Sequence, residues 1–474
     1  MNFLHNNLLS SLFLLTFHTL SVLSHLFSPI DNYLINCGST APTTTLHDNR
    51  HFSGDLASKQ PSPPLFSSPS TSAVSLQNDN NLLHDLPSLY HTARVFTTTA
   101  KYSFPITATG THIVRLHFHA FNSSNYDLGR SKFHVLVNGY VVLSNFSHSE
   151  NGNPRVIEYL IWVGAEKLVI VFVPIKGSNF AFVNAIEVIS APQDLVPDTA
   201  QYLNVSSGNV EKFDGLSRQG IEVVHRVNVG GPKVTPFNDS LWRTWIPDDE
   251  FFGSSAVVGS EKLYFGGRIK YQAGGASREV APDNVYNSAR LIRSKNGSVP
   301  NVSMTWVFPV VEGYKYLVRL HFCDIASISL GLLYFNVYVN GYLAYEDLDL
   351  SYITNSLASP FYADFVVDRN SSSPLSVSVG PSKNSIPRAI DGILNGVEVM
   401  KLSNSHGSLD GEVCADFVLK SFSRGNTGVF LTSVAAICIV LSLFIVIRRR
   451  VIGCRESVTW SRLPVNLSDD NVKT

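Results

Sequence analysis

His117 and His119 stand two residues apart in a segment that alternates apolar and polar residues, so a strand there puts both imidazoles on one face. Two histidines on one face are the beginning of a metal site, which needs further ligands at workable spacing. None follows, and a matching segment later in the chain carries His321 but has Cys323 in place of the second histidine. His321 and Cys323 have the composition of a base and a nucleophile, yet nothing nearby supplies the orienting group that a catalytic thiol requires. Asp324, Asp347, Asp349, Asp364 and Asp391 offer carboxylates. Glycoside hydrolysis needs two of them about 5–10 Å apart. The sequence brings no such pair together, and Asp391 in Ala-Ile-Asp-Gly-Ile suits a hydrogen-bonded turn. The Gly-x-Ser-x-Gly and His-Glu-x-x-His signatures do not occur. No catalytic residue, metal or cofactor is assigned, and a wall-modifying glycoside hydrolase stands only as a third reading of the function.

Binding chemistry is better represented. Aromatic residues make up 11% of the chain, with 29 Phe and 18 Tyr. Flat aromatic faces cover the apolar side of a sugar ring while a few polar groups take its hydroxyls. Tyr90, Tyr140, Tyr286 and Tyr342 recur as pairs along the chain and are the candidate ligand-binding residues. Recurrence equally fits packing across strands.

That recurrence organises the molecule. Val114-Arg-Leu-His-Phe118 returns as Val318-Arg-Leu-His-Phe322, and Val137-Asn-Gly-Tyr140 as Val339-Asn-Gly-Tyr342. Tyr90-His-Thr-Ala-Arg94 returns as Tyr286-Asn-Ser-Ala-Arg290, and Asn184-Ala-Ile-Glu-Val188 as Asn395-Gly-Val-Glu-Val399. The blocks keep their order at offsets of roughly 200 residues, which means two whole domains rather than a solenoid of short repeats. Asn138-Gly139 lies between β-rich arms, a hairpin signal, and Asn340-Gly341 repeats it. Many strands separated by turn residues predict an all-β fold: two tandem β-sandwich, jelly-roll-like domains followed by a single transmembrane helix. Residues 53–82, rich in Ser, Pro, Asn and Asp, read as a long loop in the first domain.

The expected boundaries are 25–195 for the first domain, 196–220 for a linker and 221–402 for the second domain. Residues 403–427 follow as an extracellular juxtamembrane joiner. Residues 1–24 read as a signal peptide around the apolar run 8–23. The run 428–447 carries no charged side chain and matches a bilayer core of about 30 Å. Arg448, Arg449 and Arg450 follow at once and mark the cytoplasmic side, leaving a short tail, 448–474. The topology is single-pass type I at the plasma membrane, with the N-terminal part outside. Asn122, Asn145, Asn204, Asn238, Asn296, Asn301 and Asn370 head glycosylation sequons in that outer part. Cys454, just inside, is a candidate for reversible acylation. Cys37, Cys323 and Cys414 lie outside in an odd number, so one disulfide with a spare thiol and three separate thiols both stand.

Composition agrees. Of the 474 residues 44% are hydrophobic and only 15% charged, against roughly 25% in ordinary soluble domains. Glycans would supply the missing solubility. The net charge of -1, from 36 basic and 37 acidic residues, leaves no polybasic nucleic-acid surface.

Four pieces carry a resemblance: Tyr33-Leu-Ile-Asn-Cys-Gly-Ser39, Arg243-Thr-Trp-Ile-Pro-Asp-Asp249, Ala281-Pro-Asp-Asn-Val-Tyr-Asn-Ser-Ala-Arg290 and Ala389-Ile-Asp-Gly-Ile-Leu-Asn-Gly-Val-Glu-Val399. Over residues 30–402 the chain resembles the plant malectin-like receptor-like kinases, the FERONIA and THESEUS group. The resemblance implies two malectin-like domains at the cell surface and a ligand that is a secreted peptide hormone or a cell-wall glycan. It also implies a small lipid-anchored co-receptor as partner. The family signals through a cytoplasmic Ser/Thr kinase, whose phosphate loop, strand lysine, His-Arg-Asp and Asp-Phe-Gly motifs are missing from this sequence. The chain is therefore expected not to be an enzyme itself. It would be a receptor-like protein that works through a partner kinase or, alternatively, a truncated gene model of a full receptor kinase.

Overall fold

The computed structural model describes residues 27–453, apart from 42, 47, 57–64, 68–72, 78–85, 124, 149–152, 178–179, 205–207, 254–258, 294–302 and 370–371. The expected signal peptide, Asn296, Asn301, Asn370 and Cys454 lie outside the described residues. The described residues up to Val418 form one compact unit and those from Leu419 a second.

The first unit is built almost wholly of β-strands. Its backbone is one long sheet whose middle runs, in spatial order, Ala185–Ser190, Gly110–Phe118, Arg155–Val163, Ile221–Asn228, Gly396–Leu402, Tyr314–Cys323 and Pro360–Arg369. The first three strands come from the first sequence repeat and the rest from the second. Alternation decides the faces. In Gly110–Phe118, Val114, Leu116 and Phe118 point into a core shared with the five-stranded sheet that includes Phe133–Val137, Tyr140–Phe146 and Lys167–Pro174. In Tyr314–Cys323, Val318, Leu320 and Phe322 do the same against the sheet that includes Phe335–Val339 and Leu375–Pro381. Each half is thus a sandwich with its own core, and Arg115, His117, Arg319 and His321 are left on the opposite face.

The two hairpins form as the Asn-Gly pairs predict. Asn138 and Gly139 have φ of 45° and 89°, Asn340 and Gly341 52° and 80°. Both turns need left-handed backbone at two successive residues. Each asparagine also caps a neighbouring strand, accepting from Val169 N at 2.7 Å and from Ser376 N at 3.0 Å.

Three expectations are corrected. The 53–82 stretch is not all loop. Leu65–Ser67 pairs with Ala100–Pro105, and Ala73–Gln77 with Thr92–Phe96, because their apolar residues extend sheet edges. Within 196–220, Thr199–Asn204 and Asn209–Asp214 form a hairpin, and the first of these strands pairs in parallel with Pro360–Arg369. Burial of Ala200 and Leu203 turns the expected linker into the edge of the second half. Residues 403–418 lie on the first half instead of hanging free: Leu409 is fully buried in the first-half core.

In the second unit the helix Ala415–Gly453 runs on for most of its 39 residues. Among the described residues no helix is long and apolar enough to cross a membrane. The side chains of 421–434, which include the start of the expected span, lie outside the described residues.

Candidate functional site

The repeated blocks meet on the polar face of the long sheet. Tyr90 donates its hydroxyl hydrogen bond toward His117 Nδ1 at 3.0 Å, and His117 Nε2 lies 2.8 Å from Glu187 Oε1. The second half repeats this with Tyr286, His321 and Glu398 at 3.1 and 3.3 Å. Asn184 and Asn395 hold the strand ends in place. Their Oδ1 atoms accept from His119 N and Cys323 N, both at 2.7 Å.

Around these triads runs a ladder of charges set by strand register. Glu187 and Glu158 both stand opposite Arg115, and Glu398 and Asp364 both stand opposite Arg319. Arg115 donates to Glu158 at 2.6 Å and to Glu187 at 2.8 Å. Arg319 grips Asp364 with two bonds of 2.7 Å. Arg226, opposite Glu398, joins the halves: it donates to Glu158 at 2.7 Å and to Glu398 at 2.8 Å. At the matching register in the first half stands Leu34, opposite Glu187, and Arg50 reaches that glutamate at 2.5 Å instead. Each central arginine is closed off by a carbonyl from outside its own sandwich: Arg115 by Leu241 O at 2.7 Å, Arg319 by Leu195 O at 2.8 Å.

All these ions are buried, so desolvation and pairing compete. Burial alone would raise the Glu158 carboxyl, but Arg226 and Arg115 outweigh it and hold its pKa at about 2. Glu187 and Glu398, buried beside their arginines and histidines, are likewise held far below the usual carboxylate range. Burial lowers His321 despite Glu398, so its imidazole is neutral near pH 7. Burial pushes the Tyr90 hydroxyl up to about 12. The Cys323 thiol is also pushed up by burial, which leaves it protonated and unreactive.

The signs combine. Carboxyls depressed in the fold contribute stability above their unfolded pKa of about 4.3, and it is lost as pH falls through the folded values. A histidine depressed in the fold loses its contribution from about pH 6.5 downward, because the unfolded chain takes the proton first. Urea unfolding midpoints should therefore fall continuously from pH 7 to pH 3. His321→Gln should flatten the part between pH 6.5 and 5, and an unchanged slope there would remove His321 from this account.

The halves meet through one short strand pairing and a shared apolar cluster that includes Leu34, Ile113, Ile189, Leu317, Val366 and Met400. Arg155–Val163 and Ile221–Asn228 are in register only at Tyr159–Glu222 and Leu160–Ile221. Two cavities open at this junction. One, of about 260 Å³, is floored by Arg115, Glu158 and Arg226. The other, of about 630 Å³, is lined by Arg155, Glu222, Val311, Tyr316, Lys401 and Asp410. In it Lys401 bonds Glu222 at 2.6 Å, and burial raises the Glu222 carboxyl against that lysine. A larger groove of about 1280 Å³ lies in the second half, among the 199–212 hairpin, Phe361, Tyr345 and the glycine-rich turn 272–276.

The sequence candidates fall as follows. Tyr90 and Tyr286 are buried, and their hydroxyls serve the histidines, so they turn no ring face outward. Tyr140 donates to Arg218 O at 2.8 Å, where the two halves touch. Tyr342, its copy, is 39% exposed. His117 is engaged in its triad, and His119 lies against the Tyr90 ring at 5.9 Å. Among the described residues no group of three or more His, Cys, Asp or Glu is placed to hold a metal ion. Cys37 and Cys323 are buried free thiols, and Cys414 is a half-buried one. Asn122, Asn145 and Asn238 are exposed, and Asn204 half-exposed with its amide on Glu211 at 3.0 Å. The ladder residues were present in the matched blocks as Arg115, Arg319, Glu187 and Glu398. Arg226 has no copy, so the repeat gave no signal for it.

The comparisons with known proteins follow this architecture. The family model described as Malectin-like domain matches residues 35–402. Receptor-like protein kinase HERK 1 of Arabidopsis thaliana is 38% identical over 462 residues, covering 95% of this chain and 52% of that protein. Receptor-like protein kinase THESEUS 1 of Arabidopsis thaliana is 39% identical over 428 residues, covering 89% and 47%. The chain spans about half the length of these curated relatives. A crystal structure of the plant peptide RALF23 in complex with FER and LLG2 contains a chain that is 31% identical, with a TM-score of 0.67 over 81% of this chain and 98% of that one.

Proposed function

This chain belongs to the malectin-like domain family, and from that premise we propose that it is a plasma-membrane receptor-like protein whose tandem ectodomain binds a secreted peptide. The likeness to the chain in the complex with RALF23 and LLG2, complete over almost all of that chain, carries the reading. Peptide recognition would take place at the junction of the halves, where a ligand touching both can bias their relative angle. A lipid-anchored co-receptor and a partner receptor kinase complete the signalling unit.

Membrane attachment belongs to the same proposal. Residues 428–447 span the bilayer within the helix Ala415–Gly453, with 1–24 as signal peptide and 448–474 inside. Ile437, Ile439, Val440, Leu441, Phe444 and Ile447 are each more than half exposed around that helix, which suits lipid and not water. Two tandem domains, the second with the 199–214 hairpin at its edge, sequon glycosylation and Cys454 acylation are part of this reading.

The test is a binding screen of the full chain in lipid nanodiscs against secreted peptides and cell-wall oligosaccharides. Saturable binding of a peptide is expected. Oligosaccharide binding with no peptide response overturns the peptide reading in favour of a wall lectin. A second reading, a truncated gene model of a full Ser/Thr receptor kinase, draws on the coverage of about half of HERK 1 and THESEUS 1. A transcript continuing in frame past Thr474 into kinase codons would establish it, and a message ending there would sink it.

A further inference from the structure

Residues 403–418 leave the last strand of the second half, yet they are fastened to the first. Val141 N donates to Gly407 O at 3.0 Å and Leu409 N to Val141 O at 2.8 Å, a parallel bridge onto the edge strand Tyr140–Phe146. Ser144 N donates to Asp410 Oδ2 at 2.7 Å. Leu409 is fully buried in the first-half core, and Val418 packs with Leu136, Val141, Val171 and Val173 on the outside of the same sandwich. Before this strap docks, Ser403 N bonds Gly220 O at 2.8 Å, and after it Gly411 N bonds the Tyr314 hydroxyl of the second half at 2.7 Å. The strap therefore crosses the junction between halves and carries Asp410 to the rim of the 630 Å³ cavity.

Tyr140 sits where these pieces meet. Its hydroxyl holds Arg218 O, and its ring is so close to Gly220 that a Cβ there would lie 2.8 Å from Cδ1. Gly407 of the strap is its neighbour on another side. Tyr342, the copy of Tyr140, is more exposed, in keeping with a strap that docks on one half alone.

We propose that the strap is a latch that reads the angle between the halves: it stays seated while the junction is closed and peels from Tyr140–Phe146 when the junction opens. The strap runs into the helix Ala415–Gly453, whose first turn carries Val418, so peeling frees the start of that helix from the first half. The coupling stands on the fold alone. Its use in signalling rests on the receptor reading, and the test below employs no ligand, so either can fail without the other.

Hydrogen exchange of the full chain in nanodiscs reads the latch through the Leu409 and Gly411 amides. Arg226→Met weakens the junction without touching the strap, and exchange at both amides should rise by about tenfold. Asp410→Ala loosens the strap and should reciprocally speed exchange in 221–228, since coupling between two sites acts in both directions. Strap amides as protected as in the wild type, with 221–228 alone exchanging faster in Arg226→Met, would overturn the proposal. If Arg226→Met does not fold, Tyr140→Phe, which removes a single hydroxyl, decides it by the same amides: faster exchange supports the latch and unchanged exchange refutes it.

Discussion

Arg226→Met should cost about 3 kcal/mol in the urea unfolding of the full chain, the lower part of the range for breaking a buried ion pair. Among the described residues, Arg226 is the one side chain seen to hold a carboxylate from each half, Glu158 and Glu398. Removing it leaves both carboxylates buried. Glu158 keeps Arg115, and Glu398 keeps His321, which is why the loss is not larger. Two strand pairs in register, the Arg115 bond to Leu241 O and a shared apolar cluster including Leu34, Ile113, Leu317 and Met400 remain across the junction. The unfolding transition should therefore broaden as the coupling between the halves weakens. Replacing all three groups, Glu158→Gln, Arg226→Met and Glu398→Gln, should recover part of the stability, because no uncompensated charge then remains. A single mutant within 0.5 kcal/mol of wild type would show that the ladder does not tie the halves together.

Gly230→Ala should be at least as damaging. Gly230 has a φ of 71°, and a Cβ built on it lies 2.2 Å from Ala289 O. That oxygen is backbone within a buried strand and cannot swing aside. Left-handed backbone for alanine adds roughly 1 kcal/mol to the clash. Gly38 repeats the arrangement with a φ of 81° and Ala93 O at 2.3 Å, so Gly38→Ala should act on the first half in the same way. Gly274 provides the control, because it has a φ of 79° with nothing within 4 Å of its Cβ. Gly274→Ala should lose only the conformational part, about 1 kcal/mol. Equal losses at Gly230 and Gly274 would mean that the close approach is not what selects glycine.

These two cases explain how much the sequence could reveal. Repeated blocks were legible because each holds residues that meet across the fold. Tyr90, His117 and Glu187 are far apart in the chain yet bonded in one triad, and Tyr286, His321 and Glu398 repeat it. Hairpins were legible because Asn-Gly encodes its own backbone. Arg226 was not legible, since its role depends on the pairing of two strands from different repeats, and its counterpart Leu34 is apolar. The tyrosines illustrate the opposite error. Recurrence singled out Tyr90 and Tyr286, yet their hydroxyls turned out to be part of buried triads. Residues 403–418 looked like a joiner because Gly, Ser and Asn punctuate them. Leu409 and Val418 are the buried anchors that seat the strap, with Val413 and Ala415 packed beside Val418, too irregularly spaced to form a pattern.

A peptide ligand proposed for the junction of the two halves is tested most directly by hydrogen exchange of the full chain in nanodiscs with and without the peptide found in the binding screen. Peptide should slow exchange at Glu222, Val224, Val310 and Val311, which line the cavity between the halves, and alter it at Leu409 in the strap. Protection confined to the 272–276 turn and the 199–212 hairpin, with the junction and strap unchanged, would place the ligand in the second-half groove and contradict the account.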